Sequence, residues 1–96
     1  MSCFFIAQIR IKDPVEYQKH IDYAGEIVKK YRGEYLPIDN RPVILEGNWN
    51  YTRSVLIRFE CEKDFEAWYY SDDYQKILKY RLLAADCDTI FVKGLK

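Results

Sequence analysis

Apolar and polar residues alternate from the start of the chain. Cys3, Phe5, Ala7, Ile9 and Ile11 fall on one side, and Phe4, Ile6, Gln8 and Arg10 on the other. This predicts a strand over residues 3–11 with both faces at least partly covered. The period then changes. Asp13-Pro14-Val15-Glu16 reads as a helix start: Asp13 to cap free amides, Pro14 at the first helical position, Glu16 to complete a capping box. Tyr17, Ile21, Ala24, Val28 and Tyr31 follow at alternating spacings of four and three, one apolar stripe along a helix. Gly33 is placed to close it in a left-handed cap. His20, one position before Ile21, sits on the flank of the stripe, where a partly exposed surface position is expected.

The second half continues in shorter units. Residues 34–38 predict a short strand broken by Pro37, Asp39-Asn40-Arg41-Pro42 is turn chemistry, and residues 43–47 predict a resumed strand. A loop anchored by Trp49 leads to residues 54–60, where Val55, Ile57 and Phe59 alternate with Ser54, Leu56, Arg58 and Glu60. Residues 63–70 predict a helix that buries Phe65, Trp68 and Tyr69. Ser71-Asp72-Asp73 caps a further helical piece with Tyr74, Ile77, Leu78 and Arg81 on one side, and residues 89–93 form the last strand.

The resulting order, βαββαβ with a split second helix, is that of an α+β ferredoxin-like plait: one antiparallel sheet with the helices on one face. The other face would carry Phe4, Ile6 and Leu56, bare in a single copy. An exposed apolar sheet face marks an interface. A two-fold homodimer closing two sheets into a dimeric α+β barrel would cover it.

Composition narrows the function classes. Fifteen Lys and Arg balance fifteen Asp and Glu. Zero net charge argues against a nucleic-acid partner, whose binding energy comes largely from neutralised phosphates. The third strand also lacks the Gly-aromatic pattern of an RNA-recognition motif. No apolar run reaches the roughly 20 residues of a membrane span, so no membrane partner is expected. Three dispersed cysteines, Cys3, Cys61 and Cys87, form neither a disulfide framework nor a zinc site. They read as small core residues of a reduced, cytoplasmic protein. A single histidine and four scattered glycines leave no metal cluster and no phosphate-cradling loop. No cofactor is expected.

The chemistry-bearing candidates fall into three sets. Gln8, Arg10 and Arg58 share the open sheet face, and Glu46 on the strand over 43–47 points the same way. Arg58 could grip an anion and Glu46 take a proton, or the set could be a structural ion pair. His20 alone has an ordinary pKa near neutrality and could shuttle a proton. Tyr74 and Arg81 lie seven apart, two turns along one helix face, and could orient a carboxylate or a phenol; structurally, Ser71 would cap the helix and Tyr74 pack beneath it.

Several blocks resemble a known family. They are residues 5–17 through Asp13-Pro14-Val15-Glu16-Tyr17, Gly33-Glu34-Tyr35-Leu36, Val43-Ile44-Leu45-Glu46-Gly47-Asn48-Trp49, Val55-Leu56-Ile57-Arg58-Phe59, and Trp68-Tyr69-Tyr70-Ser71-Asp72-Asp73-Tyr74. Arg81 and Ala85-Asp86 complete the pattern. The chain resembles DUF1330 proteins over nearly all of its 96 residues as a single domain, departing in the loop 37–42, where Gly-rich sequence is usual. The resemblance implies the dimeric α+β barrel superfamily, which includes cofactor-independent monooxygenases, isomerases and stress-response proteins. The expectation is a homodimer with a pocket for a small polar or aromatic metabolite, acting as a cofactor-independent oxygenase or isomerase. The rival is a non-catalytic small-molecule-binding or stress-associated dimer.

Overall fold

The computed structural model describes residues 2–36 and 38–94. Its elements are β1 (Cys3–Ile11), α1 (Pro14–Lys30), β2 (Glu34–Tyr35), β3 (Arg53–Phe59), α2 (Glu62–Tyr69), α3 (Asp72–Ala84) and β4 (Ala85–Lys93). The four strands form one antiparallel sheet in the order β2-β3-β1-β4. This is the ferredoxin-like plait that the alternation predicts.

The helices cover one sheet face. Cys3, Phe5, Ala7 and Ile9 of β1 and Val55, Ile57 and Phe59 of β3 are buried beneath them. Aromatic rings fill one end of this core. Trp68 lies 4.3 Å from Tyr74, 5.1 Å from Phe5 and 5.3 Å from Phe59 between ring centroids, and Phe65 stacks on Phe91 at 4.0 Å. The other sheet face lines up Phe4 with Val92, Ile6 with Ile90, and Gln8 with Asp88 across β1 and β4. On the β3 side it pairs Phe4 with Arg58 and Ile6 with Leu56.

Several local expectations need correction. Residues 43–47 are not a strand. Tyr35 pairs with Ile57 and Asp39 bridges Ser54, one residue short of the start of β3. Beyond that point the chain has no β3 backbone left to pair with, so Val43 and Leu45 stand exposed on a loop. β4 starts at Ala85 rather than residue 89, because β1 offers partners along its whole length, Ile11 opposite Ala85 included.

The end of α1 also differs. The residue with positive φ is Arg32 (68°), not Gly33. Gly33 answers a steric need: a Cβ there would lie 2.7 Å from Val28 Cγ1 and 2.8 Å from Phe59 Cε1. Phe59 is wholly buried and cannot yield. Gly33→Ala is therefore expected to destabilise by about 1–3 kcal/mol through overpacking, read as a lower urea midpoint at unchanged slope. At the start of α1, Asp13 accepts from the Glu16 amide at 3.2 Å, while the Glu16 carboxylate turns to Lys19 at 2.9 Å instead of completing the box. Of the cysteines, Cys3 is buried and Cys87 half-buried, but Cys61 is exposed just ahead of α2.

Candidate functional site

A cavity of about 160 Å³ lies inside the helix-covered half of the molecule. Its floor is the core face of the sheet, including Ala7, Ile9 and Val55, and α1 and α3 form its walls. A cavity near 150 Å³ holds a benzene-sized molecule, so this one suits a single ring and a few substituent atoms. Its polar groups are His20, Tyr17, Tyr74, Arg81, Arg53 and Tyr35.

His20 lies on α1 between Tyr17 and Ala24, both buried, and is itself buried, not a surface flank residue. The stripe is wider than the apolar positions alone imply. The ring sits 5.7 Å from Tyr17 and 6.1 Å from Tyr74. Its Nδ1 is 3.2 Å from the Ile77 carbonyl oxygen, which can only accept, so Nδ1 carries the proton and Nε2 the lone pair. Burial pulls the His20 pKa down to about 4, the Ile77 carbonyl opposes this, and Arg81 and Arg53 lower it further. His20 is neutral at pH 7.

Tyr74 and Arg81, two turns apart on α3, meet as their spacing predicts: Arg81 Nη2 donates to the Tyr74 hydroxyl at 3.1 Å. Ser71 caps the helix, accepting from the Tyr74 amide at 3.1 Å. Burial pushes the Tyr74 phenol up to about 12 against the pull of Arg81, and burial also raises Tyr17 and Tyr35. All three phenols are neutral hydroxyls at pH 7. Burial works against the Arg81 charge, yet the adjacent Tyr74 and Cys87 leave its pKa raised, so the guanidinium stays charged.

Gln8, Arg10 and Arg58 lie on the opposite sheet face, and Glu46 is exposed on the loop that replaces the expected strand. Arg10 pairs with Asp86. Arg58 donates to Glu34 at 3.2 Å and to the Ser2 hydroxyl at 2.9 Å. Glu46 instead borders a surface hollow with Val43, Leu45 and Trp49. The cavity thus unites His20, Tyr74 and Arg81, and none of the other four predicted site residues lines it.

Arg53, Tyr17 and Trp68 are cavity residues that the motif reading passed over. Arg53 carried a legible signal. It shares the parity of Val55, Ile57 and Phe59, which puts an arginine on the core side of β3. It lies over the Tyr17 ring, 5.8 Å from its centroid, and is fixed at the rim by a 3.1 Å bond from Nη1 to Asn40.

These features define a ferredoxin-like α+β protein with a small, partly open cavity between sheet and helices. The chain belongs to the DUF1330 family, a domain of unknown function, whose profile matches residues 2–95. No curated protein matches the sequence. Among solved structures, it is similar to a protein of unknown function from Rhodopseudomonas palustris, with 16% identity and a TM-score of 0.80 over 99% of this chain and 83% of that one. A dimeric ferredoxin-like protein of unknown function from Thermobifida fusca matches at 18% identity and a TM-score of 0.71, over 98% of this chain and 92% of the other. SnoaB, a cofactor-independent oxygenase from Streptomyces nogalater, matches at 6% identity and a TM-score of 0.70, over 99% of this chain and 94% of the other. At these identities the likeness is one of fold. Among the described residues no helix is long and apolar enough to cross a membrane, and no cluster of His, Cys, Asp or Glu could hold a metal ion.

Proposed function

We propose that this protein is a homodimer that holds a small polar or aromatic molecule in the cavity between sheet and helices, and acts on it as a cofactor-independent oxygenase or isomerase. The observation that carries the reading is the pairing of a neutral base with fixed donors. His20 keeps the Nε2 lone pair at the cavity wall, where the Tyr74–Arg81 pair can receive negative charge. His20 would take a proton from a carbon or hydroxyl acid of the ligand, and the electron pair left behind would move onto an oxygen held by Tyr74 and Arg81. In an isomerase the proton returns at another atom of the ligand. In an oxygenase the anion meets dioxygen. Positioning and one base suffice for either.

One observation favours the rival, a non-catalytic binding dimer. A histidine with a pKa near 4 is a weak base, and a ring-lined cavity can hold a ligand without turning it over. Solvent-deuterium exchange separates the two. One-ring ketones and phenols are incubated with the wild type and with His20→Gln in heavy water, and oxygen uptake is followed in parallel. Catalysed exchange or uptake that falls by about 10²–10⁴ in His20→Gln is the expected result. Binding without either establishes the binder.

The dimer rests on the open sheet face. Phe4, Ile6 and Leu56 lie beside Ile90 and Val92, and Ile90 is 58% exposed in the single chain. The Thermobifida relative is itself described as dimeric. In this assembly Gln8, Arg10 and Arg58 lie at the two-fold contact. Ile90→Lys should leave the fold intact and halve the mass seen by light scattering. A wild-type monomer would overturn the arrangement. We place the protein in the cytoplasm on the thiols of Cys61 and Cys87, neither of which is in a disulfide.

A further inference from the structure

We infer that the cavity takes a one-ring organic anion, an aromatic carboxylate, held by the guanidinium groups of Arg81 and Arg53. The inference rests on the reading of this cavity as the ligand site and adds the charge of the ligand. Arg81 is 3% exposed and lies on the cavity wall. One of its terminal nitrogens donates to Tyr74, and the other, Nη1, is buried and meets no oxygen acceptor, with only the weakly accepting Cys87 sulfur near the guanidinium. Arg53 lines the same cavity with a buried, unpartnered Nε, and Trp68, 1% exposed, adds an unpartnered indole Nε1.

Every one of these orphaned groups is a donor. Buried donors without acceptors are rare in folded proteins, and three on one small cavity point to an acceptor that the chain does not supply. Charge tells the same story. Among the described residues no Asp or Glu lines the cavity, and no ion pair includes Arg53 or Arg81. Tyr74 and Tyr17 stay protonated and cannot neutralise them. The two guanidiniums are close enough that both depress His20. A buried guanidinium at Arg81, with a second half-buried one at Arg53 on the rim, calls for a counter-charge, and the planar fork of arginine matches the two oxygens of a carboxylate.

The rest of the wall specifies the ring. Trp68, Tyr74, Phe5 and Tyr35 supply flat apolar surface, and about 160 Å³ admits one ring with its carboxylate. Besides the tyrosine hydroxyls, the Nε2 of His20 is an acceptor on this lining, which suits a hydroxyl on the ring.

Benzoate and its uncharged isostere benzamide test the inference, titrated by calorimetry into the whole protein at pH 7. The indole Nε1–H resonance of Trp68 reports occupancy, and that of Trp49, outside the cavity, serves as control. The expected result is benzoate binding at least about tenfold tighter than benzamide, with the Trp68 resonance shifted and that of Trp49 unmoved. The ratio should collapse toward one in both Arg81→Gln and Arg53→Gln. The wild-type ratio needs no variant, so it decides even if Arg81→Gln fails to fold. Equal binding of the two compounds at the Trp68 resonance overturns the anion preference and leaves the cavity reading standing. Binding of neither overturns both. Benzoate binding that leaves Trp68 unmoved, or that survives both substitutions, places the anion elsewhere and overturns the inference.

Discussion

Replacing Trp68 by Ala is expected to cost about 3–5 kcal/mol of stability, the largest loss from any single substitution considered for this protein. Trp68 is among the largest fully buried side chains, and its ring joins Phe5 and Phe59 of the sheet to Tyr74 of α3. Its removal opens a void contiguous with the existing cavity, on a chain of 96 residues whose whole stability falls in the usual range of about 5–15 kcal/mol. Trp68→Phe sharpens the test. It keeps most of the ring contacts and removes the unpartnered indole N–H, so its cost should stay below about 2 kcal/mol. Urea unfolding followed by far-ultraviolet circular dichroism reads both. A loss of less than 1 kcal/mol in Trp68→Ala would mean that the ring cluster does not hold α2 and α3 to the sheet.

Acid should destabilise the protein through His20, in a window separate from that of its carboxylates. The folded pKa is about 4 and the free value 6.5. Above pH 6.5 neither state binds the proton, and the stabilising preference for neutral histidine is fully present. As the pH falls from 6.5 through 4, the unfolded chain takes up a proton that the folded chain refuses, and stability is lost. At 1.36 kcal/mol for each pH unit, the loss across this window is on the order of 3 kcal/mol. Asp73 and Asp86, held low by Lys30 and by Arg10 with Lys12, lose their stabilisation as the pH falls through the free carboxylate value of 3.8 and below, under most of the His20 window. Urea unfolding at pH 7 and pH 4.5 should therefore show a drop of about 2–3 kcal/mol in the wild type. In His20→Gln, which can still donate to the Ile77 carbonyl but does not titrate, most of that drop should vanish. An unchanged pH slope in His20→Gln would mean that the imidazole is solvated in solution.

The two expectations bear on one region. Trp68, Tyr74 and His20 form a continuous set of rings from the core to the cavity wall. An occupant of the cavity should stabilise the fold in proportion to its concentration, as any ligand of the native state does. Thermal shift is therefore a direct screen for ligands.

Alternation and helical spacing by themselves determined the strand–helix order, the capping of α1 by Asp13 and of α3 by Ser71, and the core face of β1 and β3. These are local matters, settled by period and by residues within a few positions of one another. They also placed Tyr74 beside Arg81, because two residues seven apart on a helix meet whatever the rest of the chain does. Tertiary structure decided what depended on partners far along the chain. Residues 43–47 have strand-forming side chains, but β3 begins too late to pair with them. β4 gains its first four residues from the length of β1, despite the polar Asp86 and Asp88. His20 is buried because Ile77 of α3 lies against it, 57 positions away in sequence. Arg53 joins His20 and Arg81 only because β3 turns this residue toward the helix layer, over Tyr17 of α1. A cavity is the space left between elements, and its location on the helix side, away from the polar set of the open face, emerges only when the elements pack.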